Sequence, residues 1–241
     1  MKIKDARNLG IGVCEALNAK RFDSAYLLLT PILAEKNPFR LLDVIGEEIG
    51  HGEVEQVNTF LEHIAGYKTM GGWVVIASAL AQQLTRDLPG AFELCRRYII
   101  AGDVWYVTDI LGERVPGPGL VTDFDRVLAH LAPWRADDNR WVRRSVGVAV
   151  HFWAKRSRGA AEFSTQAEHL LVFLAPMFEE RDTDVIKGVG WGLKTIGKYY
   201  PELLVEWLGI QSSRFHRALM MKKALTYLSS EQRVQAVGNK R

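Results

Sequence analysis

The most suggestive pair of side chains in the sequence is an indole and a carboxylate spaced one helical turn apart. Trp105 and Asp109 lie within the segment 103–114, DVWYVTDILGER, where their separation places them on one helix face. A carboxylate beside an electron-rich ring can stabilise positive charge that develops on a bound molecule. The same spacing also occurs by chance in many helices, so a purely structural role stays open. A separate apolar stripe, which predicts the face toward the core, consists of Val104, Val107 and Leu111.

A second segment, 138–156, is rich in arginine and is a candidate phosphate-binding helix. Guanidinium groups near a helix N-terminus suit a phosphate, because the helix dipole and the forked donors act together. A glycine between them predicts that a bulky partner approaches the backbone closely. The candidate N-caps of this helix are Asp137, Asp138 and Asn139. In the alternative interpretation, the arginines form surface salt bridges with Asp137 and Asp138. The line of residues on this face is Arg140, Arg144, Gly147 and His151, with Arg143 on its flank.

A third segment, 182–200, places a tryptophan in the middle of a row of lysines. The apolar stripe of this helix is Ile186, Val189, Leu193, Ile196 and Tyr200, and the second face carries Lys187, Trp191, Lys194 and Lys198. Glycines at 188, 190, 192 and 197 weaken the helix by roughly 1 kcal/mol each relative to alanine. Close packing against the preceding helix or against a ligand backbone must offset that cost. A further cationic cluster consists of Arg217, Lys222 and Lys223.

Helical periodicity extends over the whole chain, and no run of alternating or β-branched residues predicts a sheet. The Pro/Gly segment 115–119 is the one interruption, and it predicts a turn between neighbouring helices. The predicted helices span 6–20, 22–35, 38–51, 53–66, 72–85, 89–101, 103–114, 120–132, 138–156, 164–178, 182–200, 201–209, 213–228 and 230–237.

Three helices carry a tryptophan with charged neighbours on a face away from the apolar stripe, around Trp105, Trp141 with Arg144, and Trp191. The spacing of these helices favours a repeat architecture. Trp105 and Arg144 are 39 residues apart, and Arg144 and Trp191 are 47 apart, close to the length of a HEAT or armadillo unit. We therefore predict an all-α HEAT-like solenoid of stacked antiparallel helix pairs, forming one domain over residues 1–241 with a concave basic groove. An irregular helical bundle is the alternative.

Composition narrows the class of protein. The chain has 241 residues with a net charge of +3, and no apolar run approaches the ~18 to 20 residues of a membrane span. The start of the sequence lacks a cleavable apolar core, so the expected location is the cytoplasm. Cys14 and Cys95 lie far apart without neighbouring ligands, which predicts small buried side chains and no metal site.

The charge is distributed unevenly along the chain. Residues 1–120 carry 12 Lys and Arg against 15 Asp and Glu, whereas residues 121–241 carry 19 against 13. A polyanionic partner is therefore expected mainly on the C-terminal half, although a solvated basic surface without a partner explains the charge equally well.

Three motifs together resemble a known family. They are the W-x-x-x-D of Trp105 and Asp109, the N-x-W-x-x-R that ends at Arg144, and the K-x-x-G-W-x-L-K of 187–194 followed by a proline. The chain resembles the DNA alkylation repair family, the HEAT-like-repeat DNA glycosylases of the AlkD type, over about residues 100–225. Tyr106 departs from the family pattern, which often has aspartate after the tryptophan.

The resemblance implies hydrolysis of the N-glycosidic bond of N3- and N7-alkylated purines in duplex DNA, without deep flipping of the base. It implies that Asp109, Trp105 and Trp191 are catalytic: the carboxylate would stabilise an oxocarbenium-like sugar, and the indoles would hold the lesion nucleotide. No cofactor and no metal are expected. The implied DNA-binding residues are Arg140, Arg143, Arg144, Lys187, Lys194, Lys198, Arg217, Lys222 and Lys223.

The expected partner is double-stranded DNA containing alkylated bases, bound by a monomer that associates with the nucleoid. Two alternatives stay open: a related protein that binds DNA without cleaving the glycosidic bond, and a helical-repeat scaffold that binds an acidic protein.

Overall fold

A computed structural model describes residues 1–238, and within that range the chain forms α-helices joined by short turns and 3₁₀ segments, without a strand. The predicted all-α class is confirmed. The helices are α1 (Ile3–Asn18), α2 (Phe22–Ala34), α3 (Phe39–Ile49), α4 (Val54–Gly66), α5 (Met70–Gln83), α6 (Leu88–Gly102), α7 (Trp105–Arg114), α8 (Pro116–Thr122), α9 (Phe124–Leu131), α10 (Arg140–Ser157), α11 (Ser164–Leu174), α12 (Thr183–Tyr199), α13 (Pro201–Gln211), α14 (Ala218–Ala224) and α15 (Ser230–Val237).

The chain divides into two compact units, Met1–Val115 and Pro116–Arg241. In the first unit, α1, α3, α5 and α7 form a row in which each helix packs on the next, while α2, α4 and α6 pack on members of that row. Helix α5 is covered by neighbours on both sides, which is why an almost uninterrupted apolar sequence from Trp73 to Leu80 is buried there. Alternation of helices between a row and its covering layer is what stacked helix pairs predict.

The second unit repeats this arrangement. Helices α8, α10, α12 and α14 form a row, and α9, α11, α13 and α15 cover it or one another. Trp153 of α10 lies at the centre of an aromatic cluster, with the rings of Phe124, Phe163 and Tyr200 about 6 Å away between centroids. This buried cluster joins the row to its covering layer.

Glycines allow the row helices to approach within backbone contact. A Cβ built on Gly147 of α10 would lie 2.3 Å from the carbonyl carbon of Gly188, and one on Gly188 would lie 2.5 Å from the Arg144 carbonyl oxygen. The interpretation of Gly147 as an opening for a bound partner is therefore wrong, because α12 occupies that space. The same contact explains how α12 tolerates Gly188 and Gly192, because packing on α10 offsets their helix-forming cost, whereas Gly190 and Gly197 pack against Lys223 and Leu204.

The Pro/Gly segment is a second correction. The chain breaks at Val115, with φ of −107° and ψ of −77°, and then starts α8 at once, so the predicted turn over 115–119 is wrong. Pro116 and Pro118 both stand in the first turn of α8, where an amide hydrogen has no intrahelical acceptor. The predicted helix 120–132 is correspondingly two helices that meet at Asp123.

The other predicted helices are confirmed within a few residues at most ends. The two exceptions are 164–178, which continues as a 3₁₀ segment after Leu174, and 213–228, which shortens at both ends to α14. Of the two cysteines, which are both free, Cys95 is fully buried as predicted and Cys14 is only partly covered.

The α10–α12 contact leads to a prediction about stability. We expect Gly188→Ala to lower the free energy of unfolding by about 1 to 3 kcal/mol, because its methyl group would overlap the Arg144 carbonyl. The matched control is Gly209→Ala in α13, where nothing lies within 4 Å of the added Cβ, and there we expect a gain of up to about 1 kcal/mol. Urea denaturation of both variants checks the difference, and equal effects would contradict the close approach.

Candidate functional site

Helix α7 presents an indole to solvent at its first residue. The Trp105 side chain is 56% exposed and its ring meets Tyr106 edge-on at 5.9 Å between centroids. Asp109, one turn later, is partly exposed. Val107 and Leu111 are fully buried, as predicted, whereas Val104, the third residue of the predicted stripe, is the N-cap and only partly buried.

A salt bridge that sequence analysis missed fixes the other end of α7. The Arg114 guanidinium donates to the Asp43 carboxylate of α3 at 2.7 Å, and the Ser78 hydroxyl of α5 donates to the same carboxylate at 3.0 Å. Arg114 and Asp43 are only about one-fifth exposed. Because the two residues are 71 positions apart, no local spacing could indicate the pair. The contact holds the helix that carries Trp105 and Asp109 against α3 and α5.

Helix α10 begins with the N-cap that the sequence predicts. The Asn139 side chain accepts hydrogen bonds from the backbone amides of Trp141 and Val142, at 2.9 and 3.4 Å. Trp141 itself is buried, so its predicted position on a face away from the core is wrong, and the Arg140 guanidinium lies over its ring at 4.7 Å from the centroid. Arg140 is exposed and can meet an anion.

The two following arginines are held by the protein. Arg143 donates to the Glu180 carboxylate at 2.9 Å and to the Asp137 carbonyl oxygen at 2.7 Å. Arg143 thus forms a salt bridge, as in the alternative interpretation, but with Glu180 and not with the carboxylates of Asp137 or Asp138. Arg144 is only 7% exposed and donates to the Asp184 carbonyl oxygen in the first turn of α12 at 3.0 Å. Its guanidinium is thus oriented before any ligand binds.

Trp191 of α12 is partly buried and stacks on a histidine. The His151 ring lies 3.9 Å away between centroids with an interplanar angle of 22°. The Nδ1 atom of His151 is 2.7 Å from the Thr195 hydroxyl, which donates to the Trp191 carbonyl oxygen at 2.9 Å. Burial, followed by the charges of Lys155 and Lys194, lowers the pKa of His151 to about 4. The imidazole is therefore neutral at physiological pH.

Around Trp191, the second unit concentrates positive charge. The Lys223 side chain packs over Gly190, and burial together with the charges of Lys194, Arg144 and Lys187 lowers the pKa of its ammonium group. Like charges held this close repel one another, and a bound anion would relieve the repulsion. The structure thus brings together four predicted DNA-binding residues, Arg144, Lys187, Lys194 and Lys223.

The remaining predicted cations of the second unit belong to α12 and to α14 with its N-cap. The ammonium groups of Lys194 and Lys198 both lie over the half-exposed ring of Tyr227, at 5.1 and 5.6 Å from its centroid. Lys187 also forms an exposed ion pair with Asp184 at 3.2 Å. Arg217 and Lys222 are exposed.

The neutral His151 predicts a dependence of stability on pH. Its pKa falls from 6.5 to about 4 on folding, so the unfolded chain binds the proton more tightly. The corresponding stability is present above pH 6.5 and is lost as the pH falls toward 4. The loss in the free energy of unfolding reaches roughly 2 kcal/mol by about pH 5. We expect His151→Phe to be less destabilised than wild type between about pH 7.5 and pH 5, by that amount, in urea denaturation. Identical pH dependence in both proteins would contradict a buried neutral imidazole.

Residues 1–238 contain neither a helix suited to crossing a membrane nor a cluster of metal-binding side chains. In that range no helix is long and apolar enough to cross a membrane. The same residues contain no group of three or more His, Cys, Asp or Glu side chains placed to hold a metal ion.

Comparisons with known proteins show which structure and which family this chain is similar to. Its backbone is similar to that of the alkylpurine DNA glycosylase AlkC of Pseudomonas fluorescens bound to DNA containing an abasic site analog, with a TM-score of 0.58 and 20% sequence identity. The match covers 98% of this chain and 65% of that one, so this chain spans less than two-thirds of its length. A comparison with curated proteins gives no match.

The family model described as DNA alkylation repair enzyme matches residues 74–228. That range includes α7, α10 and α12, the helices that carry the three sequence motifs. The chain therefore belongs to the DNA alkylation repair enzyme family.

Proposed function

We propose that this protein is a DNA glycosylase that removes N3- and N7-alkylated purines from duplex DNA by hydrolysing the N-glycosidic bond. The observation that carries the proposal is the family match over 74–228, within which an exposed indole and a carboxylate share one face of α7. The similar AlkC structure, bound to DNA with an abasic site analog, supports the same activity.

The cationic cluster around α12 supports binding of the DNA backbone. Lysine and arginine side chains that neutralise phosphates release counterions from DNA, and this release provides much of the affinity. Arg144 adds a guanidinium of fixed orientation, suited to a single phosphate, whereas the exposed lysines can follow the strand. Arg143 contributes less directly, since Glu180 and backbone carbonyls already occupy its donors.

The proposed chemistry requires little beyond electrostatic stabilisation. An alkylated purine carries a positive charge and is already a good leaving group, and its departure builds oxocarbenium-like charge on the deoxyribose. The Asp109 carboxylate stabilises that charge and orients the attacking water. Trp105 and Trp191 hold the lesion nucleotide, because the faces of their rings attract positive charge. The base then need not enter a deep pocket, unlike in most enzymes that process bases.

A direct assay tests the proposal. The protein is incubated with duplex DNA methylated at guanine N7, and released 7-methylguanine is measured beside untreated DNA and beside the Asp109→Asn variant. We expect release from methylated DNA by wild type alone. DNA binding that weakens with salt but is not followed by base release would instead indicate a related protein that binds DNA without cleaving it. Binding to acidic proteins, without a linear dependence of log K for DNA on log salt, would indicate a protein-binding scaffold.

Acting on genomic DNA also agrees with the expected cytoplasmic location and with association with the nucleoid. We propose that the protein acts as a monomer, which light scattering with and without a short duplex tests.

A further inference from the structure

We propose that His151 is a positioning residue for Trp191, which orients the indole by stacking on one of its faces and by tethering to the backbone of the same residue. The proposal rests on the proposed function, since it concerns how one of its DNA-contacting rings is held.

The stacking geometry is close and nearly parallel. A centroid separation of 3.9 Å with planes 22° apart leaves no room for another group between the two rings. His151 is 8% exposed, whereas Trp191 is only partly buried. The imidazole therefore forms a fixed base beneath the indole, and the indole can rotate only by breaking this contact.

The Thr195 hydroxyl group links the two residues. It donates to the Trp191 carbonyl oxygen at 2.9 Å, and its oxygen lies 2.7 Å from Nδ1 of His151. The ring that supports the indole is thus linked through one hydroxyl group to the carbonyl of the same tryptophan.

A neutral ring is also the one suited to this place. The Lys155 and Lys194 ammonium groups already act on His151, and burial disfavours a further charge there. A cation stacked beneath the indole would oppose the positive charge that the proposed reaction builds on the sugar. Imidazole combines a flat surface, a hydrogen-bonding nitrogen and neutrality, whereas lysine or arginine at this position lacks the last property.

The test separates the position of the ring from the activity. Emission of Trp191 is isolated by subtracting the spectrum of each protein's Trp191→Phe counterpart. In His151→Ala we expect the emission maximum to move to longer wavelength and iodide quenching to increase, because water reaches the uncovered face. His151→Phe keeps a flat ring and should retain most of the wild-type emission. Thr195→Val removes the hydroxyl link and should shift emission partway, with Thr195→Ser restoring it.

The second readout is the single-turnover release of 7-methylguanine with saturating enzyme. We expect His151→Ala to slow release about tenfold while the dissociation constant for duplex DNA changes less than about twofold, since a misplaced group costs rate more than affinity. His151→Phe should stay within about threefold of wild type. Urea denaturation confirms that each variant is folded at the assay temperature.

Unchanged Trp191 emission in His151→Ala overturns the proposal, and so does a shifted emission with a wild-type rate of release. If wild type releases no base, the proposed function fails. The emission spectra, together with Trp191 quenching by added duplex DNA, then still support or overturn the positioning role.

Discussion

Asp109→Asn is expected to leave affinity for duplex DNA intact and to slow release of 7-methylguanine at least about tenfold. Asparagine keeps the size of the side chain on the partly exposed face of α7 but removes the negative charge that stabilises the sugar cation. Affinity should hold because the cationic cluster that we propose binds phosphates lies on α10, α12 and α14. Single-turnover release and a fluorescence-anisotropy titration with the same duplex measure the two effects.

The matched control for this variant is Asp23→Asn, which removes the same charge from an exposed position in the first turn of α2. We expect its release rate to equal that of wild type. Should Asp109→Asn also release the base at the wild-type rate, Asp109 is not the catalytic carboxylate.

Arg144→Ala is expected to lower DNA affinity and base release together. The guanidinium is buried and held by the Asp184 carbonyl, so a phosphate that it binds is fixed in position and not merely attracted. Loss of one phosphate contact should reduce the slope of log K against log salt by about one. The carbonyl left without its donor should also lower the free energy of unfolding by about 1 to 3 kcal/mol.

Arg140→Ala is the control on the same helix. Its exposed side chain lies over Trp141, so its loss should weaken binding slightly at low salt and leave the rate at saturation unchanged. An unchanged salt slope together with unchanged release in Arg144→Ala would remove Arg144 from the site.

Local sequence signals predict the helices well and their contacts poorly. The stripe of Val107 and Leu111 correctly separates the core face of α7 from Trp105, because helical period alone determines that geometry. The Pro/Gly segment misled because proline ends a helix in its interior yet starts one at the first turn, and the sequence alone does not say which position it occupies. Gly147 was wrongly interpreted as an opening for a partner for a related reason: the space beside it is filled by α12, a helix distant in sequence.

Predictions about the site also succeed where helical spacing decides and fail where contacts between helices decide. Lysines on the second face of α12 could be predicted from spacing, whereas the burial of Trp141 could not, since it depends on how the tryptophan packs in three dimensions. His151 belonged to the predicted line of residues on α10 but had no predicted role. Its stacking on Trp191 depends on the crossing of α10 and α12, whose contacting residues are far apart in sequence: 40 positions separate Arg144 from Asp184, and 44 separate His151 from Thr195. The assignments of Asp109, Trp105 and Trp191 as catalytic stay predictions.

The glycine-lined crossing of α10 and α12 has a consequence for exchange of amide hydrogens with solvent. A helix with several interior glycines has little tendency to persist alone, so α12 should open only when it separates from α10. Deuterium uptake at Val189 and Leu193 should then proceed in step with uptake at Val146 and Val150. Duplex DNA should slow deuterium uptake at both pairs of residues by the same factor, because a ligand that binds one helix of such a cooperative unit also protects the other.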